Sequence, residues 1–366
     1  MLKKPTSIPS KSDSIKTLEE KKRNVSCEVS DKQCKNQLNR KSKRCYIDKL
    51  DCNSFGSIRN GFSKGILEIA KEDRRVVALC ADLSGSVKVG EFARKYPKRF
   101  FEFGVAEQNM MGAAAGMCLN EKIPFVTSYA AFNPGRNWDQ LRVSVCYSNS
   151  NVKILGSHAG LLTGPDGATH QALEDIAITR TLPNLCIISP CDEEEMRKAV
   201  IASAKYEGPI YLRAPRENSL NITNKNTKFE IGKSNVLDLG DDLLIVSHGI
   251  GVRFAIEAKK NLLQYGIDST VVNMHTIKPL DEKTLVKYAK KCNGVMTIED
   301  HQKIGGLGSA VCEVLSDKLP MKVVRIGVKD TFSESGEGYE LLDKHKISTK
   351  EIVKRAKRLL GVKNGM

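Results

Sequence analysis

The sequence predicts an α/β protein with two consecutive parallel-sheet domains behind a disordered basic tail. Three observations predict it. From about residue 55, short apolar runs rich in Val and Ile alternate with segments whose apolar residues recur at helical spacing. That rhythm halts once, in a polar stretch rich in Asn, Lys and Asp, and then resumes. The chain of 366 residues, 40% of them apolar, is also long enough to build two cores.

Residues 1–52 form the expected tail. Its first 50 residues hold 14 Lys and Arg against 6 Asp and Glu, more than half of the net charge of +15. They contain few aromatics and no apolar period, the composition of a segment that cannot bury enough surface to fold. Just over half of the basic excess thus sits in a segment expected to be disordered, and nucleic acid is not the expected partner. Asp13, Glu19, Glu20, Glu28 and Asp31 argue against an organelle transit peptide, and no run approaches a membrane span or a signal peptide. The expectation is a cytoplasmic protein with no membrane partner. Cys27, Cys34, Cys45 and Cys52 lack the tight C-x2-C pairs that help to chelate zinc. The remaining cysteines, Cys80, Cys118 and Cys312 among them, lie in or beside apolar segments and read as reduced core thiols.

The first domain is expected over 53–222. "SIRNGFSKGILEIAKE" has helical spacing, "RRVVALCAD" reads as a buried strand, and "GEFARKYP" as a short helix before "RFFEFG". A helix built largely of Gly, Ala and Met follows Glu107. Then come the strand "KIPFVTSY", the helix "NWDQLRVSVCY", the strand "NVKILGSH", the helix "QALEDIAITRTL", the strand "LCIISP", the helix "DEEEMRKAVIASAKY" and the strand "GPIYLRAP". Residues 223–241 read as a linker. The second, smaller domain, 242–366, restarts the alternation with "LLIVSHGIGVRFAIEAKKNL". Its "GIGVRFA" and "GGLGSA" do not complete a G-x-G-x-x-G fingerprint with a downstream acid, so close strand-to-helix packing is the reading.

In such sheets functional loops gather at the carboxyl ends of strands. Four of these loops collect polar residues: "ADLSGS" with Asp82, Ser84 and Ser86, "GVAEQN" with Glu107, "GSHAGLLTGPDGATH" with His158, Asp166 and His170, and "LRAPREN" with Arg213 and Arg216. The third is rich in glycine, so its backbone can bring two imidazoles and a carboxylate to one cleft.

Taken in order, "DLSGSVK", "FGVAEQNMMGAAAGM", "GPDGATHQALEDIA", "TIKPLD" and "EDHQKIGGLGSAV" resemble the carboxyl-terminal half of transketolase, over about residues 55–360. The resemblance implies a thiamine-diphosphate-binding pyrimidine domain followed by the transketolase carboxyl-terminal domain. It does not extend to the family's other cofactor domain, where G-D-G and a later Asn hold Mg2+ and the diphosphate. "GDD" at Gly240–Asp242 opens a strand and has no such partner, so no metal ligand is assigned to this chain. The implied protein is the separate subunit of a split transketolase. Its implied partner is an amino-terminal subunit that brings the diphosphate and Mg2+ site, with self-association into a heterotetramer, and activity requires both subunits.

The resemblance also implies roles. Glu107 matches the glutamate that hydrogen-bonds the cofactor's pyrimidine nitrogen, a task for a protonatable carboxyl held away from water. Tyr129 and Phe132 match the aromatic positions that stack on the pyrimidine, while Arg136 stands near a usual third aromatic. Asp82 is placed with the cofactor-binding residues. Arg59, Ser86 and Arg216 match the sugar-phosphate contacts, a fitting use of guanidinium forks. His158 and His170 match residues at the donor's C1 and C2 oxygens and, with Glu107, form the catalytic set. Asp166 matches the aspartate that reads the C2 hydroxyl. The implied reaction moves a two-carbon ketol unit from a ketose phosphate to an aldose phosphate. The alternatives are a 1-deoxyxylulose-5-phosphate synthase-like or 2-oxoacid dehydrogenase beta-like subunit, or a non-catalytic scaffold partner.

Overall fold

The structure is a computed structural model and describes Leu50 and residues 54–362. The expected tail and its cysteines, Leu50 apart, lie outside the described residues.

The chain opens with β1 (Phe55–Gly56) and helix α1 (Ile58–Glu72), followed by β2 (Val76–Cys80), α2 (Gly90–Lys95) and β3 (Phe100–Glu102). Helix α3 (Glu107–Cys118) leads to β4 (Ile123–Tyr129). The helix expected next is a single α-turn, Trp138–Gln140, running into a π-helical segment, Leu141–Tyr147. Next come β5 (Lys153–Ser157), α4 (Asp175–Arg180), β6 (Cys186–Ile188), α5 (Glu193–Lys205), β7 (Ile210–Arg213) and β8 (Ser219–Leu220), which pairs with β1. Alternate residues of β2 feed opposite cores, as period-two geometry requires. Val76, Ala78 and Cys80 pack with Ile58, Phe62 and Ile66 of α1 and Met196 and Val200 of α5. Val77 and Leu79 pack with Met110, Met111 and Ala114 of α3. Both faces of the first sheet are thus covered.

The second half contains β9 (Asn235–Asp238), β10 (Leu243–Ser247), α6 (Gly251–Leu263), β11 (Ser269–Asn273), β12 (Thr276–Lys278), α7 (Glu282–Ala289), β13 (Val295–Gln302), α8 (Leu307–Lys318), β14 (Val323–Val328), α9 (Gly338–Lys344) and α10 (Thr349–Leu359). The five-stranded sheet has order β14-β13-β10-β11-β9 and is parallel except for β9, which lies inside the stretch read as a linker. β12 does not join it. That strand crosses back and pairs antiparallel with β6, giving the seven-stranded order β12-β6-β7-β5-β4-β2-β3. The glycine motifs serve packing: a Cβ on Gly251 would stand 2.9 Å from the Ile298 carbonyl oxygen, and one on Gly306 would overlap Glu299 Oε2.

Buried charge ties the two halves together. Asp175 Oδ2 accepts from Arg213 Nε at 2.8 Å and from Tyr211 Oη at 2.7 Å, and Arg213 Nη2 donates to the Asp300 carbonyl oxygen at 2.8 Å. All four residues are buried. Burial pushes the Asp300 carboxyl up to about 6 against the pull of Arg213. Arg213 therefore belongs to this seam and not to the site loop in which the sequence placed it. Cys80, Cys146, Cys186, Cys191 and Cys292 are buried and Cys118 and Cys312 half-buried, all as free thiols. Among the described residues no helix is long and apolar enough to cross a membrane.

Candidate active site

The carboxyl ends of β2, β3, β4, β5 and β7 form one edge of the first sheet, and the loops leaving them meet there. Three non-glycine residues at this edge, Asp82, Lys88 and His158, have left-handed backbone, with φ of 57°, 65° and 53°. Such strain persists only where surrounding contacts impose it, and it concentrates at binding sites.

Glu107 is the first residue of α3 and only 1% exposed. Ser128 Oγ, at the end of β4, donates to its Oε1 at 3.4 Å, and Arg136 Nη1 donates to its Oε2 at 2.6 Å. The Arg136 guanidinium lies 4.4 Å over the Phe132 ring, and its side chain is 41% exposed, so the ion pair has one wet and one dry partner. Asn137 Nδ2 donates to the Glu107 carbonyl oxygen at 3.3 Å and to Asn133 Oδ1 at 3.0 Å, which fixes the helix start against the segment carrying Arg136.

Beside Glu107 stands an aromatic box. The Tyr129 and Phe132 rings are parallel within 16° at 6.2 Å. His158 stacks on Tyr129 at 3.8 Å, and His170 meets Phe132 edge-on at 5.3 Å. Burial, reinforced by Arg59, Arg216, His170 and Lys88, lowers His158 to about 3, so its imidazole is neutral at physiological pH. Its Nδ1 lies 2.9 Å from Ser157 Oγ, leaving Nε2 for a ligand. His170 Nδ1 is likewise held, 2.8 Å from Thr169 Oγ1.

A cationic end adjoins the box. Arg59, in the first turn of α1, donates to the Ser86 carbonyl oxygen at 2.8 Å and to the Arg216 carbonyl oxygen at 2.5 Å. Burial and the neighbouring Arg216 lower the Arg59 pKa. Arg216 donates to the Thr163 carbonyl oxygen at 2.9 Å and stands 3.5 Å from Asp166 Oδ1. With Arg216 depressing Arg59, and the Asp166 and Glu217 carboxylates only partly offsetting the pair, the two guanidinium groups favour an anionic ligand.

The structure therefore brings Glu107, Tyr129, Phe132, His158, His170, Arg59, Ser86, Asp166 and Arg216 to one edge. Asp82 stands apart. It is exposed, its amide donates to Glu102 Oε1 at 2.7 Å, and among the described residues no contact joins its carboxylate to the others. Sequence reasoning missed Arg136 as the partner of Glu107, although it is the lone cation between Lys122 and Arg142. It also missed Ser128 and Lys88.

Residues 56–220 match the transketolase pyrimidine-binding domain, and 232–352 match the transketolase C-terminal domain. The chain is 43% identical to a protein of Methanocaldococcus jannaschii named as a transketolase C-terminal section, over 82% of this chain and 95% of that one. It is 38% identical to the 6-deoxy-6-sulfo-D-fructose transketolase subunit SqwH of a Clostridium species, over 84% and 95% of the two chains. It is 37% identical to one subunit of the apulose-4-phosphate transketolase of Phocaeicola vulgatus, over 83% and 97%. A solved split-gene transketolase, described as an inactive beta4 tetramer, superposes with a TM-score of 0.79 at 42% identity, covering 84% of this chain and 99% of that one.

A buried carboxyl beside two parallel aromatic rings is a surface that fits an aminopyrimidine ring, and a pyrimidine-binding domain implies thiamine diphosphate as the cofactor. The chain belongs to the transketolase family, as the carboxyl-terminal section of a split transketolase, with pyrimidine-binding and C-terminal domains.

Proposed function

We propose that this chain is one subunit of a cytoplasmic, thiamine-diphosphate-dependent transketolase. It transfers a two-carbon ketol unit from a ketose phosphate to an aldose phosphate, and it works only with an amino-terminal subunit that supplies the ligands for the diphosphate and Mg2+. The observation that carries this reading is the continuity of the buried Glu107, the aromatic box and the Arg59/Arg216 end along a single edge. The relatives support a divided enzyme, since two of them are named as transketolase subunits. Assembly with further copies of both subunits into a heterotetramer is part of the proposal.

When bound, thiamine diphosphate supplies the carbanion-stabilising chemistry of ketol transfer. The chain's own residues bind and orient. Glu107 is the hydrogen-bonding partner for the pyrimidine nitrogen; its Oε1, which takes the 3.4 Å contact from Ser128 while Oε2 carries the Arg136 ion pair, is the oxygen less engaged within the chain. Tyr129 and Phe132 supply the faces for a planar ring. His158, neutral at physiological pH, exchanges hydrogen bonds with donor oxygens without bringing a charge beside the developing one, and His170 closes the same pocket. Arg59, Arg216 and Ser86 hold the sugar's terminal anion, and Asp166, already 3.5 Å from Arg216, reads a donor hydroxyl. Asp82 joins none of these contacts and is assigned no role.

The test is reconstitution. The purified chain is mixed with its amino-terminal partner, thiamine diphosphate, Mg2+, xylulose 5-phosphate and ribose 5-phosphate, and a seven-carbon ketose phosphate is expected only when both subunits are present. Turnover by this chain alone overturns the divided-site reading. A bound but inert complex across a panel of phosphorylated and sulfonated ketoses supports the scaffold alternative.

A further inference from the structure

The loop between β5 and α4 carries His158, Asp166 and His170, and part of its shape is its own: Thr163 Oγ1 donates to the His158 carbonyl oxygen at 2.5 Å, and the Gly160 amide donates to that of Ala172 at 2.8 Å. Gly160, Gly164 and Gly167 all have left-handed backbone, with φ of 83°, 68° and 73°, and each glycine adds chain entropy that folding must overcome. Within the turn over Leu161–Asp166 the backbone bonds are Thr163 N–H to the Gly160 carbonyl oxygen at 3.3 Å and Gly167 N–H to that of Gly164 at 3.1 Å, and from the first domain Arg216 donates to the Thr163 carbonyl oxygen at 2.9 Å.

Further contacts that fix the loop come from the second half of the chain. Asp300, on β13, accepts from the Leu161 amide through Oδ1 at 2.9 Å, a contact across 139 residues of sequence, and it also accepts from the Leu162 amide. Two successive backbone N–H groups converging on one carboxylate form a small anion nest. Close approach is possible because residue 160 is glycine: a Cβ there would overlap Asp300 Oδ2. Arg213 holds the other side of Asp300 by donating to its carbonyl oxygen at 2.8 Å. Farther along, the Gln302 amide donates to the Leu173 carbonyl oxygen at 2.7 Å, and Gln171 Nε2 donates to that of Glu334 at 3.1 Å. The loop is therefore pinned near its start and near its end by the "EDHQ" strand and the segment before α9.

We propose that Asp300 is a positioning residue: through this carboxylate the second domain holds the histidine loop in the conformation that presents His158, Asp166 and His170 to the sugar. The structural half of this statement stands on the contacts alone, while its consequence for substrate rests on the transketolase reading above. It gives the second domain a task in the reaction although, among the described residues, none of its side chains is in contact with the cluster.

Hydrogen exchange on the full chain tests the structural half without any activity. In Asp300→Ala, amide exchange over residues 159–170 rises by about ten- to hundredfold, the scale set by losing a hydrogen bond to a buried charged acceptor, while β2 and β4 keep their protection. Asp300→Asn, which retains one carbonyl oxygen toward Leu161, gives an intermediate rise. Gly160→Ala attacks the contact from the other side and reproduces the same local pattern, so the test survives if Asp300→Ala fails to fold. In the reconstituted enzyme the donor KM rises about tenfold or more, by loss of fixed orientation, while the affinity for thiamine diphosphate is kept. Unchanged exchange over 159–170, or a rise spread evenly through the second domain, overturns the proposal. So does a local rise in exchange with an unaltered donor KM. A wild-type complex inert with every sugar refutes the transketolase reading instead, and the exchange data still decide whether Asp300 holds the loop.

Discussion

Replacing Arg213 by Met removes one guanidinium from the seam between the two halves while keeping most of its volume. Arg213 is 3% exposed and its partner Asp175 1%. The change leaves the Asp175 carboxylate with Tyr211 as its hydrogen-bond donor and deprives the Asp300 carbonyl oxygen of Arg213. Removing one member of a buried pair costs about 3–5 kcal/mol, because the remaining charge is stranded without compensation. The loss depends on pH, with a sign that follows from Asp175. Burial pushes its pKa up, but Arg213, with His301 and Tyr211, holds it below the ordinary value. In the wild type this contributes stability that is present above the unfolded pKa of about 3.9 and is lost as pH falls through the lower folded value. Without Arg213, burial outweighs what Tyr211 and His301 still supply and raises the folded pKa, so the variant loses stability as pH climbs past that same unfolded value. The gap between the two proteins is therefore widest near pH 7.5 and narrows toward pH 4.5. Urea unfolding followed by circular dichroism at both pH values measures it. Arg213→Met/Asp175→Leu should recover at least about half of the loss, since a buried pair replaced by apolar groups is often tolerated. A deficit below about 1 kcal/mol at pH 7.5, the range of a surface ion pair, or an equal deficit at both pH values, refutes the reasoning.

Glu107→Gln keeps shape and burial but gives up the carboxylate; the fold should persist by circular dichroism while activity of the two-subunit complex falls by at least about a hundredfold, the scale of a lost acid–base group. His158, held down to about 3, should show no titration between pH 5 and 8 when followed by NMR. Because its folded pKa is depressed, the stability linked to it is full above the unfolded pKa of about 6.5 and is lost as pH falls below that, so His158→Asn should flatten the acid limb of the stability curve. Gly306→Ala should cost about 1–3 kcal/mol in thermal unfolding, the cost of an overpacked core, since its Cβ would overlap Glu299 Oε2 and stand 2.7 Å from His301 Nδ1.

The alternation of elements was legible because the central strands of the first sheet are largely apolar and the long helices repeat at their own period; Val76–Cys80 is buried at every position. The site loops were legible for a related reason, since a parallel sheet has one functional edge. Partners distant in sequence were not. Arg213 and Arg216 look alike in "LRAPREN", yet the last residue of β7 turns toward Asp175, 38 residues away, while Arg216 reaches Thr163 and Asp166. Arg136 was visible only as an interruption among aromatics, because nothing local says that it reaches back 29 residues to Glu107. β9 was hidden in a polar stretch because an edge strand needs only a few apolar contacts, here chiefly Leu237. "MHTIKPLD" looked like part of the second domain because local composition does not say which sheet a short strand will join.

The strand Thr276–Lys278 carries a consequence for anyone who would dissect this protein. Cutting the chain after Leu220 would strip β6 of one of its two neighbours and leave an unsaturated sheet border ready to capture other molecules. The excised piece would fare no better, with a short extended segment and nothing to zip onto. The two halves share a border and behave as one cloth, so neither can be cut away or transplanted as a freestanding cassette.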